Sequence, residues 1–181
     1  RVAEYVGRWR GLHYGGKVTK ELLLSLYYPD TTKQVVIEGA GRHRIQEVDI
    51  PSIGPDEVLI QIAYVGVCAT DLEVASGEIE YYRQGRARYP IVPGHEYSGV
   101  VVAIGSAVRG FRKGDKVVGE CVIGCGNCAV CRKGELYRCD RRKEVGVINM
   151  DGAYSRYLRM PAAYVHRLPR RVLLKEAALI E

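Results

Sequence analysis

The sequence predicts a mainly β, barrel-like domain with short helices, and three observations carry that expectation. Short runs rich in Val and Ile recur along most of the chain, they are separated by Gly- and Pro-containing turns, and glycine is abundant at 21 of 181 residues. Hydrophobic residues make up 47% and charged residues 27%, the composition of an ordinary globular chain with one real core.

Residues 1–33 differ from the rest and read as an N-terminal extension or the remnant of a preceding domain. Val18, Leu22 and Leu26 recur at helical spacing there, before Pro29 and Asp30 break the pattern. From Gln34 the period becomes that of strands. Val35 to Glu38 and Ile45 to Ile50 read as partners, and Pro51, Gly54 and Pro55 mark a turn. Val58 to Val67 is a longer β-branched strand. A polar and aromatic loop from Ser76 to Tyr89 follows, with Tyr81, Tyr82 and Arg83 as candidate pocket residues. Tyr97 to Ile104, Lys116 to Gly119, Ala153 to Met160 and Tyr164 to Leu168 are strand-like, and Leu173 to Ile180 begins a helix.

The net charge of +6 is spread over short groups, so a solvated basic face explains it and a nucleic-acid surface is not favoured. No apolar run approaches the roughly 20 residues that cross a bilayer, so no membrane partner is expected. Four of the six cysteines crowd between Cys125 and Cys139. That crowding suits metal thiolates in a reducing, cytoplasmic setting better than a disulfide framework.

Cys125, Cys128, Cys131 and Cys139 are separated by two, two and seven residues. Tandem Cys-x-x-Cys steps present three sulfurs to one ion, and the longer step lets the fourth close a tetrahedral zinc shell. Such a closed shell is structural. A ferredoxin-type cluster has three residues before its last Cys and a Pro after it, unlike Asp140 here. A zinc ribbon separates its pairs by about 15–20 residues. Cys121 falls outside the spacing and reads as a small core residue.

Cys68 closes the long strand, and Gly94-His95-Glu96 follows Pro93. Alone, a strand-end Cys is usually filler and a lone His usually structural. Together, thiolate, imidazole and carboxylate make an open zinc site if the fold joins them.

The order Gly66-Val67-Cys68-Ala69-Thr70-Asp71, Gly94-His95-Glu96, Gly114-Asp115-Lys116-Val117 and then the four cysteines resembles the zinc-containing medium-chain dehydrogenase/reductase family. Asp151-Gly152-Ala153-Tyr154 and Ala177-Ala178-Leu179-Ile180-Glu181 fit it too. The resemblance implies a GroES-like β barrel over residues 34–181, truncated before a Rossmann domain; no Gly-x-Gly-x-x-Gly fingerprint occurs in the chain.

It also implies two zinc ions, one catalytic and one structural. Cys68 and His95 would be catalytic-zinc ligands, Glu96 a ligand or a neighbouring carboxylate, and Glu181 an acidic residue near the metal, as in sorbitol or threonine dehydrogenases. Asp71 would orient His95, and Thr70 would take the substrate proton. Glu73 stands where relatives often carry a relay His. The implied activity oxidises a secondary alcohol or polyol by hydride transfer to NAD or NADP on the other domain, within a homo-oligomer, and this chain alone would be inactive. The rival expectations are a non-catalytic zinc scaffold and a zinc-dependent nucleic-acid module.

Overall fold

The computed structural model describes residues 31–181, which form one compact unit. The helix expected at Val18 to Leu26 lies outside the described residues, as does most of the 1–33 extension. Thr31, Thr32 and Lys33 belong to the first strand.

Ten strands and four short helices occur among these residues. Strands β1 (Thr31–Gly39) and β2 (Arg42–Asp49) form an antiparallel hairpin. The turn between them holds Gly41 at φ 69°, a conformation that favours glycine. Strand β3 (Glu57–Val65) follows the Pro51–Pro55 turn. Helices α1 (Ala69–Ser76) and α2 (Glu80–Arg83) come next, then β4 (Tyr97–Ile104), β5 (Lys116–Gly119) and β6 (Val122–Ile123). Helix α3 (Ala129–Arg132) lies in the cysteine loop, followed by β7 (Lys143–Val145), β8 (Asn149–Met150), β9 (Tyr157–Pro161), β10 (Val165–Arg167) and α4 (Leu174–Ala177).

The main sheet has the order β10-β5-β4-β3-β9, with every pair antiparallel. β3 is paired on both edges, and Val58, Leu59 and Ile60 are consecutively buried, which explains the apolar run at its start. Val58, Ile60, Tyr97, Val101, Val117, Leu158 and Met160 fill the principal core. The mainly β expectation holds. The sheets stay open, however: a two-, a five- and a three-stranded sheet form among the described residues, and isolated bridges tie β1 to Ser155 and Ile91 without closing a barrel.

Two local differences from the sequence reading have physical causes. Helix α1 follows directly on the close of the long strand, in a segment where the sequence reading placed no helix. Asp71 creates it by accepting the Cys68 backbone N–H at 3.0 Å, the capping geometry of a helix start. Gly77 ends it at φ 80°, with its N–H on the Glu73 carbonyl. The Ser76–Tyr89 loop contains α2 and is less open than expected. Tyr82 stacks on Tyr89 at 4.2 Å and donates to the Val147 carbonyl, while Tyr81 lies beneath Arg86 and Arg142. These rings pack against a second core of Ile37, Val74, Ile79, Ile91 and Val147. No described helix is long and apolar enough to cross a membrane.

Candidate metal centres

The fold brings Cys68, His95 and Glu96 together. Their ligand atoms lie within 4.8 Å of one another. Cys68 Sγ is 3.0 Å from His95 Nε2, slightly inside the roughly 3.6 Å edge that one shared tetrahedral zinc would impose. Cys68 sits at the N-cap of α1, directly after β3. His95 and Glu96 sit directly before β4. Because β3 and β4 are antiparallel neighbours, with Val65 opposite Tyr97, the end of one strand meets the start of the other.

Close packing sharpens this junction. The Gly66 N–H donates to the Glu96 carbonyl at 2.7 Å. A Cβ on Gly66 would fall 2.2 Å from Glu96 Oε2, so only glycine leaves room for that carboxylate. Gly94 adopts φ 96° and is pressed on by Tyr154, whose Cδ1 would meet a Cβ there at 2.6 Å.

Asp71 is 5% exposed and does more than face His95. Its Oδ2 accepts the Cys68 N–H at 3.0 Å, and its Oδ1 accepts the Gly94 N–H at 3.1 Å. Both ligand-bearing segments therefore hang on one carboxylate. His95 Nδ1 stands 3.8 Å from Asp71 Oδ1, is buried, and has no hydrogen-bond partner. The relation is one of charge and proximity. No direct hydrogen bond links the two side chains.

Thr70 is half-buried in the first turn of α1, two residues after Cys68. Glu73 is exposed on the same helix. Glu181 is exposed and does not join the three-residue cluster; its charge instead faces Tyr97 and Cys121. The preceding Leu179 and Ile180 are 65% and 64% exposed, so little packing fixes this segment. Cys121 is a half-buried thiol pushed up to about 12, first by burial and then by Glu181 and Glu144.

Sequence reading missed Tyr154 as a site residue. Its hydroxyl donates to the Gly66 carbonyl at 3.2 Å, and burial followed by the Asp71 charge raises its phenol above the usual range. The only signal was its place in the Asp151–Tyr154 motif.

The second centre is the four-cysteine loop. All four sulfurs lie within 4.8 Å of one another, and none is in a disulfide. Cys125 and Cys131 sulfurs are 3.9 Å apart, and those of Cys128 and Cys139 3.8 Å apart. A zinc tetrahedron with bonds of about 2.3 Å has edges of about 3.8 Å. The donor set and its dimensions fit zinc with no position left open.

The backbone of the loop brings the four sulfurs together. Gly126 and Gly134 adopt φ 75° and 81°, α3 turns the chain between Cys128 and Cys131, and a 3₁₀ turn at Leu136–Arg138 returns it to Cys139. A hydrogen bond from the Asn127 backbone is the main cause holding Cys125 down to about 6, whereas burial raises Cys131 to about 11. Arg141 Nη2 lies 3.3 Å from Cys125 Sγ.

A cavity of about 560 Å³ lies between β9 and this loop, lined by Arg141, Lys143, Tyr157 and Arg159 among others. None of Cys68, His95 and Glu96 lines it. The coordination geometry is therefore a better guide to the chemistry than this concavity.

Residues 54–170 match the family model described as the alcohol dehydrogenase GroES-like domain. The chain is 42% identical over 119 residues to an NAD-dependent alcohol dehydrogenase of Sulfolobus acidocaldarius, covering 65% of this chain and 34% of that protein. It is 34% identical over 158 residues to sorbitol dehydrogenase of Bacillus subtilis, covering 84% and 43%. Among solved structures, the cobalt- and zinc-bound thermostable alcohol dehydrogenase of Pyrobaculum aerophilum superposes with a TM-score of 0.71 at 31% identity, over 82% of this chain and 44% of that one. The chain thus spans about two fifths or less of the length of the curated relatives.

Proposed function

Because this chain belongs to the alcohol dehydrogenase GroES-like domain family, we propose that it is the metal-binding catalytic part of a zinc-dependent dehydrogenase acting on a secondary alcohol or polyol. The observation that carries this reading is the convergence of Cys68, His95 and Glu96 from the facing ends of β3 and β4. The relatives named as alcohol and sorbitol dehydrogenases support the substrate class.

In this reading Cys68 and His95 hold a catalytic zinc, with Glu96 as third ligand or adjacent carboxylate. Bound zinc would supply Lewis acidity toward an alcohol oxygen, and NAD or NADP on a second domain would accept the hydride. Asp71 keeps the two ligand segments at a fixed spacing and sets its negative charge beside His95. Thr70, close after Cys68, is the hydroxyl that passes the alcohol proton outward. The balance is one alcohol and one NAD(P)⁺ giving one carbonyl, one NAD(P)H and one proton. Cys125, Cys128, Cys131 and Cys139 hold a second, structural zinc.

Exposed Tyr64, Val65, Val67 and Leu72 neighbour the cluster in sequence, and Leu179 reaches Gly66. This apolar rim suits cover by the cofactor-bearing domain, with the cytoplasm as the reducing setting for six free thiols. With the cofactor held on a second domain, residues 1–181 by themselves would bind zinc without turnover.

The test is zinc content of the purified chain beside its Cys68→Ser and Cys128→Ser variants. Two zincs falling to one in each variant support the reading. One zinc, lost only with Cys128→Ser, favours the non-catalytic scaffold. Polyol-dependent NAD(P)H production by the protein joined to its cofactor domain tests the reaction.

A further inference from the structure

We propose that Tyr154 is a positioning residue for the Cys68–His95 metal centre, a strut whose ring and hydroxyl fix the distance between the two ligand-bearing segments. The inference rests on the metal-centre reading above and adds to it a residue from a third part of the chain.

The geometry is specific. Tyr154 lies between β8 and β9, and its backbone is tied on both sides: the Val35 N–H donates to its carbonyl at 2.8 Å, and its own N–H donates to the Pro93 carbonyl at 2.9 Å. From that fixed base the side chain reaches both ligand segments. Its ring edge lies against Gly94, immediately before His95, where a Cβ would meet Cδ1 at 2.6 Å and Cε1 at 2.9 Å. Its hydroxyl donates to the Gly66 carbonyl at 3.2 Å, two residues before Cys68. The same Gly66 peptide donates to the Glu96 carbonyl at 2.7 Å. One side chain thus spans from the His95 segment to the Cys68 segment, and Gly66 passes the constraint to Glu96.

Packing alone would require the ring and not the hydroxyl. The hydrogen bond to Gly66 is what makes the strut directional, because it fixes the peptide that leads into Cys68. Partners that orient metal ligands in this way typically change metal affinity by about 10- to 100-fold when removed.

The experiment uses the 181-residue chain loaded with cobalt(II), whose visible bands report each site's ligand geometry. Cys68→Ser and Cys128→Ser assign the bands. Tyr154→Phe keeps the ring on Gly94 and removes only the hydroxyl; Tyr154→Leu removes both. Competition with a chelator should show about tenfold weaker cobalt binding at the Cys68–His95 site in Tyr154→Phe, with shifted bands. The loss should approach about 100-fold in Tyr154→Leu, and the four-cysteine bands should stay unchanged in both. An unmoved Tyr154→Phe in a chain that binds two cobalts overturns the strut and leaves the metal centre standing. Parallel weakening of both sites also overturns it, since that is a general loss of fold. A wild-type chain taking up cobalt only at the four cysteines would remove the metal centre and the strut together.

Discussion

Asp71 joins two segments that are far apart in sequence: its carboxylate accepts the backbone N–H of Cys68 with one oxygen and that of Gly94 with the other. An Asn there keeps one acceptor and turns an NH₂ group toward a backbone N–H. The buried donor left unsatisfied costs about 1–3 kcal/mol. Asp71→Asn is therefore expected to lower the thermal midpoint by several degrees, at about 2–4 °C per kcal/mol for a domain of this size. Calorimetry on the metal-free chain checks this. An unchanged midpoint would mean the carboxylate does not couple the two segments.

Gly66→Ala separates the role of Glu96 from that of its neighbours. Gly66 does not need a left-handed backbone, so the substitution acts through its Cβ, which would lie 2.2 Å from Glu96 Oε2. The carboxylate must move away while the fold persists. If Glu96 holds the metal, Gly66→Ala and Glu96→Gln should weaken binding at this site by similar factors, on the order of tenfold. Isothermal titration with zinc measures both. Full affinity in Glu96→Gln would make this carboxylate a bystander.

Gly94→Ala acts by a different route. Its φ of 96° disfavours any Cβ, and Tyr154 Cδ1 occupies the space at 2.6 Å. Strain of about 1–3 kcal/mol is expected, together with displacement of the adjacent His95. Denaturant unfolding should show the stability loss, and zinc analysis should show release from the Cys68–His95 site before the four-cysteine site. Retention of both zincs at wild-type stability would contradict the tight packing at Gly94.

These contacts mark what the sequence could and could not reveal. Strands Tyr97–Ile104 and Lys116–Gly119 were legible to the residue because each has a β-branched apolar run between clear turns. The four cysteines were legible as a cluster from their spacing, whereas Cys68 and His95 were legible only through the ordered motifs that carry the family resemblance. Helix α1 was hidden because Ala69–Ser76 is short, with only Asp71 and Val74 buried, so its pattern is too weak to announce a helix. Strands β6, β7 and β8 have two or three residues each and exist only through pairing with one another, β6 with β7 across the cysteine loop. The Asp71 clasp and the Tyr154 strut depend on backbone atoms of Gly66, Cys68 and Gly94, which leave no mark on residue identity beyond a preference for glycine. Glu181 was named as an acid near the metal; it is exposed and lies outside the Cys68, His95 and Glu96 group.

The two thiol environments predict an order of chemical reactivity in the metal-free chain. The Asn127 backbone hydrogen bond holds Cys125 down to about 6, so at pH 7 it is mostly thiolate. Burial, with Glu181 and Glu144 nearby, pushes Cys121 up to about 12, so at pH 7 it is almost wholly protonated. The thiolate is the nucleophile. After zinc removal by a strong chelator, iodoacetamide at pH 7 should therefore modify Cys125 well before Cys121, and raising the pH to 9 should speed Cys121 far more than Cys125. Peptide mass spectrometry against time reads the order. Zinc restored before labelling should protect Cys125, because a sulfur bound to the metal has its lone pair engaged, and should leave Cys121 nearly unchanged. Equal labelling of Cys125 with and without zinc would show that the four-cysteine loop does not hold the ion.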